Sequence, residues 1–162
     1  MPLVKAGAEI ANTWTFLADG AVLPESGQTS VSLARFLALK QGQENGPLPE
    51  GVRLGPADDP AELEPYLPEL KLIEVDFPRY TDGRGFSQAQ LLRRRYGFSG
   101  ELRAVGHVLR DQIFYMHRSG FDAYETRRAT VSEVLEALAE FTEAYQPAAD
   151  GPGAAFRKRT GA

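Results

Sequence analysis

The stretch "PRYTDGRGFS", Pro78 to Ser87, gathers Arg79, Asp82 and Arg84 around Gly83 and Gly85. Guanidinium groups form bidentate contacts with carboxylates and oxyanions. Glycines let backbone N–H groups approach a ligand closely, and a helix opening just after them would favour an anion through its dipole. The chemistry these residues suit is binding of an anion or an acidic partner, with Asp82 as the acid or base if a reaction occurs. A tight turn in which Asp82 and Arg84 merely pair with each other uses the same residues.

Further groups could share that site. Ser87 reads as the cap of the helix that follows. Arg110, Asp111 and Gln112 form a polar cluster in the first turn of a later helix. Asp111 suits the helix dipole there, whereas Arg110 does not and is assigned to a shared pocket. Glu125, near the end of a strand, is the second acid/base candidate. Asp122 lies three residues earlier and so faces the opposite side. Arg127 and Arg128 follow, facing the same rim. His107 stands just past a strand end, where a general base could work, but reads more simply as a loop histidine. The "RRR" run at 93–95 reads as a solvated helix face, or as a surface that docks an acidic protein.

Known cofactor patterns fit poorly. A dinucleotide fingerprint needs a third glycine where Gln88 stands, and the next strand closes "AVG" without the acid that would take a ribose. With Cys 0 and His 2, disulfides, thiol nucleophiles, iron–sulfur clusters and histidine-rich metal sites are excluded, so neither a metal nor a cluster is expected. A flavin phosphate held at Gly83–Ser87 is conceivable, though nothing in the residues calls for it.

These groups need elements to position them. Over 1–45, "NTWTFLADGAVLP" suggests two short strands turning at Asp19-Gly20, and "SLARFLALK" a helix capped by Ser32. From Gly51 the pattern becomes regular. "VRL", "KLIEVDF", "ELRAVG" and "FDAYET" read as strands. A helix with Asp59 as cap and Glu62 in a capping box follows the first, kept short by Pro65 and Pro68. A helix with a Ser87–Gln90 capping box follows the second, and one stopped by Gly120 follows the third. A Thr130–Glu133 box opens a last helix that carries Phe141 and Tyr145. This is an α/β chain: a parallel sheet of about four βα units, either an open sheet or a half-barrel, with a small β-containing lead-in. Residues 1–145 form one domain, and 146–162 read as a flexible tail. Ligands of such folds gather outside the carboxyl ends of the strands, which is where the Arg79–Ser87 loop falls.

Composition is that of an ordinary soluble domain, 43% hydrophobic and 25% charged. No apolar run reaches the roughly 18 residues of a membrane span, and the N-terminus lacks the pattern of a secretory signal, so the expected location is cytoplasmic. The net charge of −4 is unevenly spread: residues 71–128 hold 11 basic and 7 acidic side chains, and residues 1–70 hold 4 and 10. An acidic protein with its aromatics at core-like positions is a poor nucleic-acid binder.

The run "DGRGFS", "GELRAVG", "VLRDQ" and "GFDAYE" resembles a bacterial family designated domain of unknown function 934. The resemblance spans about Leu72 to Glu125, with "SVSLARF" and "GVRL" also fitting. Members of that family are commonly encoded beside the sulfite reductase hemoprotein and described as oxidoreductases of sulfite reduction, so the resemblance implies a role in assimilatory sulfur metabolism. His107 departs from the family pattern, in which Asp or Asn stands there. The expectation is an accessory protein that binds the sulfite reductase system, or a small oxyanion, through the arginine-rich loop. The alternative is a small enzyme acting on an anionic substrate, with Asp82 or Glu125 as acid/base and Arg84 as clamp. A structural homo-oligomer is a third reading.

Overall fold

The computed structural model describes residues 1–126 and 129–140. Its strands are β1 (Leu3–Lys5), β2 (Ala8–Ile10), β3 (Trp14–Phe16), β4 (Gln28–Ser32), β5 (Gly51–Leu54), β6 (Leu72–Phe77), β7 (Glu101–Gly106) and β8 (Ala123–Glu125). The helices are α1 (Leu33–Lys40), a 3₁₀ helix (Pro60–Glu69), α2 (Arg84–Gln90) running on into a π-helical turn over Leu91–Arg95, α3 (Arg110–Ser119) and α4 (Val131–Ala139). All strands join one sheet in the order β2-β1-β8-β7-β6-β5-β4-β3. From β3 to β8 every neighbouring pair is parallel, while β1 runs antiparallel to both β8 and β2.

Because each parallel strand lies beside the next in sequence, successive crossovers return on the same side and the helices cover one face. On that face Val52, Leu54, Ile73, Val75, Phe77, Leu102 and Ala104 pack with Phe36, Leu63, Leu92, Ile113, Met116 and Val134 in a single core. The repeat begins earlier than its sequence pattern suggests. β4 and α1, read as part of a lead-in, form a βα unit of their own beside β5.

The sheet is curled. A flat sheet of eight strands would hold its edges about 34 Å apart. Here the edge strands β2 and β3 are joined by residues 11–13 alone, which can bridge at most about 14 Å. The two edges are therefore drawn together, and the face away from the helices becomes an enclosed concave surface: an open, half-barrel-like sheet.

That inner face is charged. Alternation along β5, β6 and β7 sends Arg53, Glu74, Glu101 and Arg103 inward. Arg103, 1% exposed, donates from Nε to Glu101 at 2.7 Å and from Nη1 to Asn12 Oδ1 at 2.9 Å. Glu74, equally buried, accepts from Ser30 Oγ at 2.8 Å and from Arg53 Nε at 3.0 Å. Lys5, on β1, pairs with Glu101 at 2.8 Å. Trp14 lies over Gly51, where an added Cβ would meet its ring at 2.9 Å, so glycine is needed for the ring to lie there.

Three local expectations are corrected. No hairpin forms about Asp19-Gly20: β3 pairs in parallel with β4, and the carbonyls of Ala18 and Ala21 are taken by the buried guanidinium of Arg35 at 2.9 and 2.5 Å. The segment after Asp59 is a 3₁₀ rather than an α-helix, because Pro65 and Pro68 remove donors and crowd the carbonyls four residues back. Its cap bonds Ala61 N, without a capping box. Finally, α2 opens at Arg84, one turn before Ser87, because the Asp82 carboxylate already receives Arg84 N at 3.2 Å. The caps at Ser32 and Thr130 and the stop at Gly120, with φ 112, are as expected. Phe141, Tyr145 and the tail lie outside the described residues.

Replacing Arg103 with Met should cost about 3–5 kcal/mol in urea unfolding, since Glu74 and Glu101 would stay buried without their central cation. A loss below about 1 kcal/mol would show that Ser30, Arg53 and Lys5 satisfy those carboxylates without Arg103.

Candidate functional site

The carboxyl ends of β5, β6 and β7 open into loops that form a rim, and the longest, residues 78–83, carries the predicted site. It departs from Phe77, whose side chain faces the core and meets the Phe86 ring edge-on at 5.4 Å. Gln112, in the first turn of α3, holds the loop from the side by donating from Nε2 to the Tyr80 carbonyl at 2.7 Å. Its Oε1 is buried without a partner among the described residues. Gln88 plays a similar part from α2, donating to the carbonyls of Gly55 and Asp58, both at 2.8 Å. The rim is thus tied together by two amide side chains.

Within the loop, Arg84 closes a bidentate pair on Asp82, Nε to Oδ1 at 3.0 Å and Nη2 to Oδ2 at 2.7 Å. The Arg84 side chain remains 60% exposed. Hydrogen bonds from the Arg84 side chain and backbone, with the nearby charge of Arg79, lower the Asp82 carboxyl to about 2. Near neutral pH it is a fixed negative charge, poorly matched to proton transfer.

The two glycines have separate uses. A Cβ on Gly85 would lie 2.6 Å from Phe77 Cζ and 3.0 Å from Val75 Cγ1, so Gly85 is a close-packing residue between α2 and β6. Gly83, at φ −83, has nothing within 4 Å of where its Cβ would stand, which leaves its outer side open.

The remaining predicted groups are dispersed. Ser87 is exposed inside α2. Arg110 lies 3.7 Å from Asp111 and 3.6 Å from Glu140, and the Asp111 side chain is 89% exposed. Glu125 is 9% exposed and accepts from Asn12 Nδ2 at 3.2 Å. It thus belongs with the Asn12–Arg103 contacts of the inner face, while Asp82 belongs to the outer loop. Arg127 lies outside the described residues, as does Arg128. A cavity of about 420 Å³ between the β1–β2 turn, α3 and α4 is lined by Val4, Tyr124, His117 and Leu138, and none of the predicted site residues borders it.

Of the two exposed tyrosines at the rim, sequence reasoning named Tyr80, with Phe86, for an exposed partner-binding patch and missed Tyr115; Phe86 instead packs against the core. Tyr80 is 56% exposed on the loop, and Tyr115 is 63% exposed on α3, one turn beyond Gln112. A usable signal was present for Tyr115: it falls between Ile113 and Met116, off the apolar face of the helix.

The Arg93–Arg95 run also divides. Arg93 turns inward, donating to the carbonyls of Gly120, Phe98 and Gly100 at 2.7–2.9 Å and pairing with Asp122 at 3.1 Å. Arg94 and Arg95 stay exposed. Among the described residues no helix is long and apolar enough to cross a membrane.

Two measurements check this assignment of roles. The side-chain carboxyl of Asp82 should titrate by ¹³C NMR with a midpoint of about 2, returning toward about 3.9 in Arg84→Ala. Its folded value being depressed, any stability it lends is present above the unfolded value and lost as pH falls toward the folded one. A wild-type midpoint near about 4 would show that the pair does not hold in solution. Gly85→Ala should lower stability by about 1–3 kcal/mol, with Gly83→Ala within about 0.5 kcal/mol of wild type.

Comparison with known families matches residues 51–156 to the model of a bacterial protein of unknown function, DUF934. Comparison with the curated proteins and with the solved structures returned no match. The matched residues run from β5 through the rim loop and α4, more than half of the chain, and so the chain belongs to the DUF934 family.

Proposed function

We propose that this protein is an accessory factor of assimilatory sulfite reduction, working in the cytoplasm, that binds the sulfite reductase hemoprotein through the rim of the β6–α2 loop and α3. The observation that carries a binding role is the Asp82–Arg84 pair. It removes the loop's acid from proton chemistry and occupies the fork of Arg84, so the loop presents Arg79 and Tyr80 outward. Tyr115 adds a second exposed aromatic beside Gln112. Tyrosine and arginine are the residues enriched in protein interfaces, where a few of them carry most of the binding energy. The resemblance of "DGRGFS" and "VLRDQ" to a family associated with sulfite reduction supplies the choice of partner.

The same pairing counts against a simple oxyanion clamp, since an anion would have to displace a carboxylate already held by two hydrogen bonds. It also counts against the enzyme alternative with Asp82 as acid/base; Glu125, the other candidate, is buried against Asn12 on the inner face, apart from the Arg84 loop.

Size-exclusion of the protein mixed with its sulfite reductase hemoprotein, followed by heme absorbance, tests the proposal. Co-elution is expected, weakened about tenfold in affinity by Tyr80→Ala or Arg79→Ala. Both residues are exposed, so melting temperatures should stay within about 3 °C of wild type. Separate elution at micromolar concentrations and low salt would sink the partner reading and return attention to small anions.

A further inference from the structure

The distribution of ion pairs points to the chemistry of a partner surface. Each described lysine or arginine, with four exceptions, lies in an ion pair with a described carboxylate. One exception, Arg118, has a partner elsewhere and also sits 5.8 Å from the centre of the Phe114 ring. The other three are Arg79, Arg94 and Arg95, all exposed, and all on the segment that enters and forms α2. From Gly83 to Gly100 the sequence contains Arg84, Arg93, Arg94 and Arg95 and no acidic residue, in a chain with 22 of them.

The helix explains how these cations come to share a surface. Gly85, Gln88, Ala89 and Leu92 face inward and are buried. Arg84, Ser87, Gln90 and Arg94 are exposed at spacings of three and four, the outward stripe of the same helix. From Arg84 to Arg95 that stripe is about 17 Å long. The π turn over Leu91–Arg95 brings Arg93 inward onto its carbonyls and leaves Arg94 and Arg95 outside. The stripe therefore carries positive charge at both ends, Arg79 by the loop and Arg94 with Arg95 at the far end, with uncharged Ser87 and Gln90 between.

We infer that the outward stripe of α2, with the Arg79 loop, docks an acidic surface of a partner protein. Among the described residues, ion pairs take nearly all the other cations. Arg94, Arg95, which lies 5.8 Å from the centre of the Tyr96 ring, and Arg79, whose charge also acts on Asp82, are in no ion pair there and stand open to an external carboxylate. Complementary charge of this kind chiefly sets the rate and orientation of encounter. The inference deepens the partner reading above and rests on it only for the identity of the partner.

Fluorescence anisotropy of a labelled oligoglutamate peptide with the full chain tests it independently. Binding at low salt that weakens as salt is added is expected. The double variant Arg94→Glu/Arg95→Glu should weaken it about tenfold and Arg79→Glu about threefold. Lys71→Glu, at an exposed lysine already paired with Glu50, should change it by less than about twofold. The inference is overturned if wild type does not bind, if Lys71→Glu weakens binding as much as the double variant, or if a single-stranded oligonucleotide of equal charge binds more tightly than the peptide. If the hemoprotein co-elutes equally well with the double variant, the acidic-docking inference fails and the proposed function stands. If the peptide follows the arginines but the hemoprotein elutes apart, the acidic-docking surface stands and the partner must be another protein.

Discussion

Three residues between β2 and β3 govern the shape of this protein. Residues 11–13 tie opposite edges of an eight-stranded sheet together, and a sheet so tied cannot lie flat. The curl makes an interior on the side away from the helices, too confined for solvent to serve every polar group on it. Arg103 and Glu74 are almost completely buried there and answer each other's charge through Glu101, Arg53 and Asn12. Asn12 belongs to the tie itself, so the segment that forces the curl also satisfies the charges that the curl encloses. Buried ion pairs of this kind add little net stability relative to apolar packing, but they penalise any arrangement that separates the partners.

The two faces of the sheet divide the labour. The helix side is a conventional apolar core, in which Gly85 lets α2 settle onto Phe77 and Val75. The inner side is a closed set of ion pairs and hydrogen bonds. The helix side opens in the cavity beside Val4, His117 and Tyr124, and the exposed arginines and tyrosines lie on the rim and the outer surfaces of the helices. On the rim, Gln88 and Gln112 use their amide N–H groups to hold backbone carbonyls of adjacent loops. The result is an outer surface of arginines and tyrosines on a fixed frame.

The α/β architecture was legible because strand-like and helix-like periodicities alternate from Gly51 onward with short connections. The Ser32 and Thr130 caps and the Gly120 stop were legible for local reasons: each works through its own side chain or backbone. The β1–β2 hairpin was not, since its signal is only Ala6-Gly7 between three-residue strands, and its stability comes from β8, far away in sequence. The inner charge ladder had left a trace. A strand buried on both faces should read as a continuous apolar run, yet Arg53, Glu74 and Arg103 each stand between apolar neighbours. That alternation signals a polar second face, although only the curl shows that the face is enclosed. The loop residues were found by type, but two readings of them were open. Whether Arg84 serves a ligand or Asp82 depends on backbone geometry that the run "TDGRG" does not encode by itself.

The pairing of β1 with β8 also orders events during synthesis. Val4 aligns with Tyr124, so the hairpin that closes one side of the sheet is made long before the strand it needs. Contacts of such sequence separation form late, since a large loop must be closed before they repay its entropy. Until then β4 to β7 can assemble in chain order, each on the strand before it, while Leu3 and Val4 stay without their final partners. The pairing of β1 with β8 therefore cannot form until every strand of the parallel run between them has been made.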